Sequence, residues 1–237
     1  MKCESMKAVK IGGIAVLLLF ALAFLPIDLP TTLRSAAATP RQTDVTVPTG
    51  QNVLVSVEGR FSTAGKEKIL ARINAIRKEA ADLKLVDRYV PLKWSNALEW
   101  IAQTRAAESS LMRDHARMSG RPTLDLTKDG IRGSLENLAW NYLDGEASML
   151  LAIEYWYSEK ADYQLYHEGK TPNGIIGHYQ QLIDPRMTHT GLGTFRLSDS
   201  DAWTATAQML GSLQTVNESQ TGDYGVFSQV LEVMLRR

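Results

Sequence analysis

Hydrophobic residues recur every three or four positions in three segments of the chain, which predicts three amphipathic helices. The second helix is predicted from Asn96 to about Met112, with Asn96 and Glu99 forming a capping-box-like start. The third is predicted from about Ala147 to Tyr157. The stripe of the first helix comprises Ile69, Ile73, Ile76, Ala80 and Leu83.

A different pattern follows in the last third of the chain. Apolar and polar residues alternate from Trp203 to Met209, which predicts a β-strand. His189–Phe195 is predicted to be a partner strand interrupted by Gly191 and Gly193, and Val226–Leu235 fits either a strand or a short helix. Helices followed by strands, without βαβ alternation, predict an α+β domain with a small antiparallel sheet.

The N-terminal region has the pattern of an export signal. The uncharged run Ile11–Ile27 follows three lysines, and at roughly 17 residues it sits at the lower limit for a membrane-spanning helix. A cleaved signal peptide and an N-terminal anchor therefore both stay open. The predicted organisation is a signal peptide or anchor over residues 1–38, a Pro/Thr-rich linker and start of the domain over 39–62, and the domain itself over 63–237.

The charge argues against a nucleic-acid partner, and the cysteine content argues against disulfide bonds. The formal net charge is zero and no basic patch stands out, so no nucleic-acid partner is expected, and membrane contact is expected only through the N-terminal segment. The only cysteine, Cys3, precedes the apolar run. The exported part can therefore hold no disulfide and must be stabilised by its own core.

Two histidines and two glutamates are the candidate chemistry: His115, Glu136, Glu159 and His178. Neutral imidazoles are good ligands for Zn²⁺ and similar divalent metals. Nearby carboxylates can ligate the metal, orient a histidine or accept a proton from bound water. Taken singly, each residue also fits an ordinary role, such as a solvated helix end, a loop polar residue or a buried core histidine.

Four stretches with these residues resemble a known family. Gly177–Ile183 is similar to the motif G-H-[FYW]-x-Q-[LIVM]-[LIVM], Glu136–Ala139 to G-E-N-[ILV]-A, and Trp156–Glu159 to W-[YF]-x-E. His115 matches the histidine of H-[ST]-R-x-x-G. In this order they resemble the CAP superfamily (SCP domains), which includes cysteine-rich secretory proteins, antigen 5 and plant pathogenesis-related 1 proteins. The resemblance spans roughly residues 66–209, and the missing cysteines point to a bacterial, disulfide-free branch.

The resemblance implies a fold and a site. The fold is an α-β-α sandwich with a small antiparallel sheet between helices. Its central cavity would gather the two histidines and two glutamates. The residues implied for the site are His115, Glu136, Glu159 and His178, with Asn137 and Tyr179 as cavity neighbours.

Three functions remain open on this basis. The first is an exported binding module, secreted or anchored, for a small apolar ligand, a cell-wall component or a protein partner. The second is a hydrolase dependent on Zn²⁺ or another divalent metal, with His115 and His178 as ligands and Glu136 or Glu159 as general base. The third is a surface protein in which the four residues only brace the fold. The sequence contains no recognisable nucleophile or oxyanion-hole motif, which favours binding over catalysis.

A calcium site is a competing interpretation of part of this region. Asp125–Glu136 has the spacing of an EF-hand loop. Thr127 and Arg132 are unsuited to their positions in such a loop, and no amphipathic helices are predicted to flank it. Asp129-Gly130 is therefore predicted to be a turn.

Overall fold

The computed structural model describes residues 51–61, 65–197, 202–214 and 225–234. The predicted export segment, residues 1–38, lies outside them. The helices are α1 (Lys66–Asp82), α2 (Asn96–Leu111), α3 (Gly145–Ser158), α4 (Lys160–His167) and α5 (Gly177–Ile183). The strands are β1 (Asn52–Phe61), β2 (Lys93–Trp94), β3 (Thr127–Lys128), β4 (Ile131–Arg132), β5 (Leu135–Asn141), β6 (His189–Arg196), β7 (Thr204–Gly211) and β8 (Gly225–Met234).

One antiparallel sheet forms the centre of the domain. Its strand order is β5-β7-β6-β1-β8, with the short β2 pairing parallel to β6. Strand β1 pairs with β8 over its whole length. Residues 52–61, which fall in the segment predicted to be linker and start of the domain, are thus part of the sheet. Strand β5 pairs with β7 alone among the described strands and forms one edge of the sheet.

Helices cover both faces of this sheet. Helix α2 packs on one face, where Leu98 and Ile101 join Leu138, Phe195 and other apolar residues in one core cluster. Helices α1, α3 and α5 pack on the other face in a second cluster. The predicted α+β class and the α-β-α sandwich are confirmed.

The two glycines of β6 allow α2 to lie directly against the sheet. A Cβ atom on Gly191 would come within 2.1 Å of the backbone nitrogen of Glu99, and one on Gly193 within 2.4 Å of that of Gln103. The prediction that these glycines interrupt the strand is wrong, because β6 is continuous through both. They mark a close approach of two backbones instead.

The predicted helices form, with shifted ends. The stripe of α1 is buried from Ile69 to Ala80, but Leu83 lies past the helix end and is 47% exposed. The predicted capping box of α2 is wrong. Ser95 is the N-cap, and its hydroxyl accepts a hydrogen bond from the Leu98 N–H at 3.3 Å, while Glu99 turns inward and accepts one from the indole of Trp94.

The polar positions of β7 face protein rather than solvent. The predicted alternation is present, and every residue of the strand is buried because helices cover both faces. Thr206 contacts Ser148 of α3, with 2.9 Å between the hydroxyl oxygens, and Gln208 donates to Thr190. The ambiguous segment 226–235 is resolved as strand β8 over its described part.

The predicted turn lies at the tip of a short hairpin. Strands β3 and β4 form a hairpin whose two turn residues, Asp129 and Gly130, have positive φ angles of 54° and 76°. The predicted turn is confirmed, and a hairpin at this place does not form an EF-hand loop.

Within the four described ranges, no helix is both long and apolar enough to cross a membrane.

Candidate functional site

His115 and Glu136 form the first histidine–glutamate pair. His115 lies in the irregular segment after α2, and Glu136 is the second residue of β5. The Nδ1 atom of the imidazole is 2.8 Å from Oε1 of Glu136. The carboxylate is almost fully buried, whereas 54% of the imidazole side chain is exposed. The first pair therefore consists of a buried carboxylate and an imidazole ring that is exposed to solvent.

Arg105 of α2 holds this pair in place. Its guanidinium donates to both oxygens of Glu136, from Nε at 2.5 Å and from Nη2 at 3.2 Å. Nη2 also donates to the backbone carbonyl of His115 at 2.9 Å. One side chain thus positions both members of the pair.

Arg105 belongs to a buried network of alternating charges. It also pairs with Glu108, and Glu108 accepts a further hydrogen bond from Arg117 at 2.8 Å. With Glu136, the network contains two positive and two negative side chains, so its formal charges cancel. Such pairing is what makes buried charges tolerable.

Arg105 belongs to none of the family motifs, but its position in the sequence indicates that its side chain is buried. Its position continues the buried stripe of α2 that begins at Leu98 and Ile101. A charged residue in an otherwise apolar stripe implies a buried partner.

In the first pair, the local hydrogen bonds and charges shift the pKa of His115. The hydrogen bond that the His115 ring donates to the Glu136 carboxylate raises the pKa of His115 above its usual value. Partial burial opposes this increase, and the charge of Arg105 also lowers the pKa slightly. At any given pH, the imidazolium form of His115 is therefore more populated than that of a free histidine.

His178 and Glu159 form the second pair, which is held by helices rather than by the sheet. Glu159 lies at the junction of α3 and α4, and His178 is the second residue of α5. Nδ1 of His178 is 2.5 Å from Oε1 of Glu159. The other oxygen, Oε2, accepts the backbone N–H of Tyr179 at 3.0 Å. This carboxylate thus fixes both the imidazole and the start of α5.

Strand β5 relates the two pairs to each other. Consecutive residues of a strand point to opposite faces of a sheet. Glu136 points toward α2, while Asn137 points toward α5, where its Nδ2 donates to the His178 carbonyl at 3.3 Å and to Gln208 at 3.0 Å. The structure therefore brings the four residues together as two pairs flanking the edge strand. A single cavity shared by all four stays a prediction.

The free atoms of the site are the Nε2 atoms of the two histidines. In each pair Nδ1 faces a carboxylate, and within the described ranges no hydrogen bond to either Nε2 occurs. This carboxylate–histidine arrangement is the one that orients metal-ligating imidazoles. Across the part of the chain that the structure describes, however, no three His, Cys, Asp or Glu side chains form a group able to hold a metal ion.

Tyr179 is a neighbour of the site through its backbone only. Its side chain is fully buried and packs edge-on against Tyr163, with ring centroids 5.4 Å apart. Burial raises the pKa of its phenol strongly. The ring therefore cannot line an open groove. Trp140 is partly exposed and donates its indole N–H to the Ser109 carbonyl at 2.9 Å.

One family model and several solved structures are similar to this chain. The model of the cysteine-rich secretory protein family (CAP) matches residues 70–208. No curated protein matches this sequence. Similar solved structures include venom allergen-like protein 4 (SmVAL4) of Schistosoma mansoni, with 15% identity, covering 66% of this chain and 94% of that chain at a TM-score of 0.42. MpPR-1i has 19% identity, with 67% and 94% covered and a TM-score of 0.39, and BmVAL-1 has 16% identity, with 66% and 82% covered and a TM-score of 0.40.

Proposed function

The chain belongs to the cysteine-rich secretory protein (CAP) family, and from this we propose that it is an exported binding module acting at the cell surface or outside the cell. The family match and the export-like pattern of residues 1–38 support the location. The two histidine–glutamate pairs form the proposed contact surface. The partner class is a cell-wall component, a protein or a small apolar molecule.

One observation carries the preference for binding over catalysis: both carboxylates are already engaged. The oxygens of Glu136 accept from Arg105 and His115, and those of Glu159 face His178 and the Tyr179 N–H. A general base must face the proton it removes, whereas here one oxygen of each carboxylate faces an imidazole and the other faces a guanidinium or a backbone N–H. The glutamates fix the rings, and the Nε2 atoms, which make no hydrogen bond within the described residues, suit recognition.

A catalytic zinc site needs more protein ligands than the two histidines provide. Catalytic zinc sites use three protein ligands and leave a fourth position for water. Here two imidazoles are available, and the raised pKa of His115 opposes the loss of the ring proton that metal binding requires. The described residues therefore do not fit a catalytic zinc centre, and we derive no hydrolytic step. If Zn²⁺ binds at all, the Nε2 atoms of His115 and His178 would hold it.

Retention on isolated cell envelopes of the source organism tests the binding role. We expect the wild-type protein to be retained and the double variant H115Q/H178Q to lose retention at least about 10-fold, since contact residues that matter carry more than 1 kcal/mol each. The melting temperature should stay within a few degrees of wild type. If the variant is retained normally but melts much earlier, the pairs only brace the fold and the proposal fails.

Zinc calorimetry and a hydrolysis screen test the alternative. Wild type and H178A are titrated with Zn²⁺, and wild type and E136Q are screened with chromogenic esters and peptides. We expect no turnover that depends on Glu136. Zinc binding lost in H178A, together with hydrolysis lost in a folded E136Q, would replace the binding role with a metal-dependent hydrolase.

A further inference from the structure

Two aromatic side chains stack where strand β5 ends and strand β7 begins. Tyr142 follows the last residue of β5, Trp203 precedes the first residue of β7, and the two strands are neighbours in the sheet. The ring centroids are 4.1 Å apart, with 36° between the ring planes. Tyr142 is 64% exposed. These two residues, here called the aromatic platform, therefore present a tyrosine ring to solvent with an indole behind it.

Hydrogen bonds from Arg196 of β6 fix the backbone that carries the exposed tyrosine. Its Nη2 atom donates to the carbonyls of Tyr142 at 3.0 Å and Leu143 at 3.3 Å, and its Nε atom donates to the Thr204 hydroxyl at 3.0 Å. The Leu143 N–H in turn donates to the side chain of Asn141 at 3.0 Å. A ring on a fixed backbone loses little freedom when a partner packs against it, which lowers the cost of binding.

An arginine without a carboxylate partner lies over the indole of the platform. The Cζ atom of Arg113 is 4.5 Å from the centroid of the Trp203 ring, and the side chain is exposed. Within the described ranges, the side chain of Arg113 makes no hydrogen bond or ion pair. The neighbouring carboxylate of Asp114 accepts the backbone N–H of Ala116 at 3.0 Å instead. The guanidinium of Arg113 can therefore bind a carboxylate of a ligand through two parallel hydrogen bonds.

The charges of the described residues around the platform favour an anionic partner. The hydrogen bonds of Arg196 go to neutral oxygens, so its charge, like that of Arg113, is not compensated by a carboxylate there. The next acidic residue along the chain, Asp144, lies 3.5 Å from the guanidinium of Arg60. This part of the surface thus carries two uncompensated positive charges and one ion pair, and a negatively charged partner complements it.

We propose that the aromatic platform and Arg113 bind an acidic oligosaccharide, at a surface separate from the two histidine–glutamate pairs. A sugar ring would stack on the exposed tyrosine, because the negative face of an aromatic ring attracts the polarised C–H groups of a pyranose. A carboxylate of the same sugar chain would pair with the guanidinium. The hydroxyl groups at the edge of the sugar stay in water, so the contact needs no closed pocket. The carboxylates of an acidic peptide would supply the charge but no ring to cover Tyr142.

Calorimetry on the full chain with three probes tests the ring and the charge separately. Tetragalacturonate carries sugar rings and carboxylates, maltotetraose carries the same number of rings without charge, and tetraglutamate carries side-chain carboxylates without rings. We expect saturable binding of tetragalacturonate alone at millimolar concentration. This binding should weaken as the salt concentration rises, because the contact between Arg113 and the carboxylate is exposed to solvent.

Variants of the platform and of the arginine test the assigned residues. Y142A and R113Q should each weaken the binding of tetragalacturonate about 5- to 10-fold, and R113Q should also lose most of the salt dependence. Y142F keeps the ring and should bind like wild type. The matched control R121Q removes an exposed arginine that pairs with β8, at the opposite edge of the sheet, and should leave the affinity unchanged. All four melting temperatures should stay within a few degrees of wild type, because the replaced side chains are exposed.

Any of four results would overturn the proposal: tetraglutamate binding as tightly as tetragalacturonate, maltotetraose binding as tightly, unchanged affinity in Y142A or R113Q, or no saturable binding of tetragalacturonate. The variant H115Q/H178Q keeps the result distinct from the proposed envelope contact. It should bind tetragalacturonate like wild type, and a loss of binding in it would overturn the assignment to the platform. A negative titration beside normal retention on envelopes would refute this proposal and leave the histidine contact standing.

Discussion

Replacing Arg105 by methionine should destabilise the domain more than almost any other single change. The side chain is fully buried, and its partners Glu108 and Glu136 are at most 3% exposed. Removing one partner of a buried ion pair costs about 3–5 kcal/mol, because the remaining charge is left without compensation. Glu108 keeps Arg117, so Glu136 is the carboxylate that loses most. Its remaining side-chain partner is His115.

The assay is urea unfolding followed by tryptophan fluorescence. With a denaturant dependence of about 1–3 kcal/mol per molar urea, the midpoint of R105M should fall by roughly 1–5 M. The double variant R105M/E136Q should recover part of this loss, since an amide is cheaper to bury unpaired than a carboxylate. This recovery distinguishes a lost charge pair from lost packing.

An exposed arginine provides the matched control. Arg121 pairs with Glu232, but 60% of the Arg121 side chain is exposed, and exposed pairs contribute at most about 1 kcal/mol. R121M should therefore stay within about 0.5 kcal/mol of wild type. The reasoning is refuted if R105M also stays within 1 kcal/mol, or if adding E136Q destabilises R105M further.

Three other predictions follow from the geometry. Because Glu136 raises the pKa of His115, the stability that the charged ring adds should be complete below about pH 6.5 and lost as pH rises through the folded-state pKa. The difference between the urea midpoints of wild type and H115Q should therefore shrink as pH rises above about 6.5, and a growing difference would contradict this. G191A should cost at least about 1–3 kcal/mol by urea unfolding, whereas G177A, with open space around it, should cost nothing. R77K should lose about 2–3 kcal/mol, since lysine cannot reach all four carbonyls that Arg77 binds; an unchanged midpoint would show these bonds to be unimportant.

The helices were predictable where one face alone is buried. The stripe of α1 is buried through Ala80 because only that side meets the core. Strand β5 was missed because Leu135–Asn141 shows no alternation: the consecutive residues Glu136 and Asn137 are both polar, and each binds a buried partner on its own face of the sheet. Helix α5 has seven residues, too few for a helical period to be recognised. Which residues of β5 and α5 are buried depends on elements that are distant in the sequence.

The site was predictable as residue types but not as geometry. Motif order identified His115, Glu136, Glu159 and His178, yet no spacing indicated which glutamate faces which histidine. The pairing depends on β5 pointing Glu136 toward α2 and on the junction of α3 and α4 meeting α5. Arg105, the residue that fixes the first pair, lies outside every motif, and only its position in a buried stripe marks it.

The glutamates of the two pairs are held by groups from other elements of the fold. Glu136 accepts hydrogen bonds from the guanidinium of Arg105 at both of its oxygens. Glu159 accepts a backbone N–H with one oxygen and faces His178 with the other. Two separate parts of the fold thus converge on one arrangement, in which a carboxylate positions an imidazole whose Nε2 atom makes no hydrogen bond within the described residues. This arrangement supports the proposed binding role of the two pairs over a catalytic one.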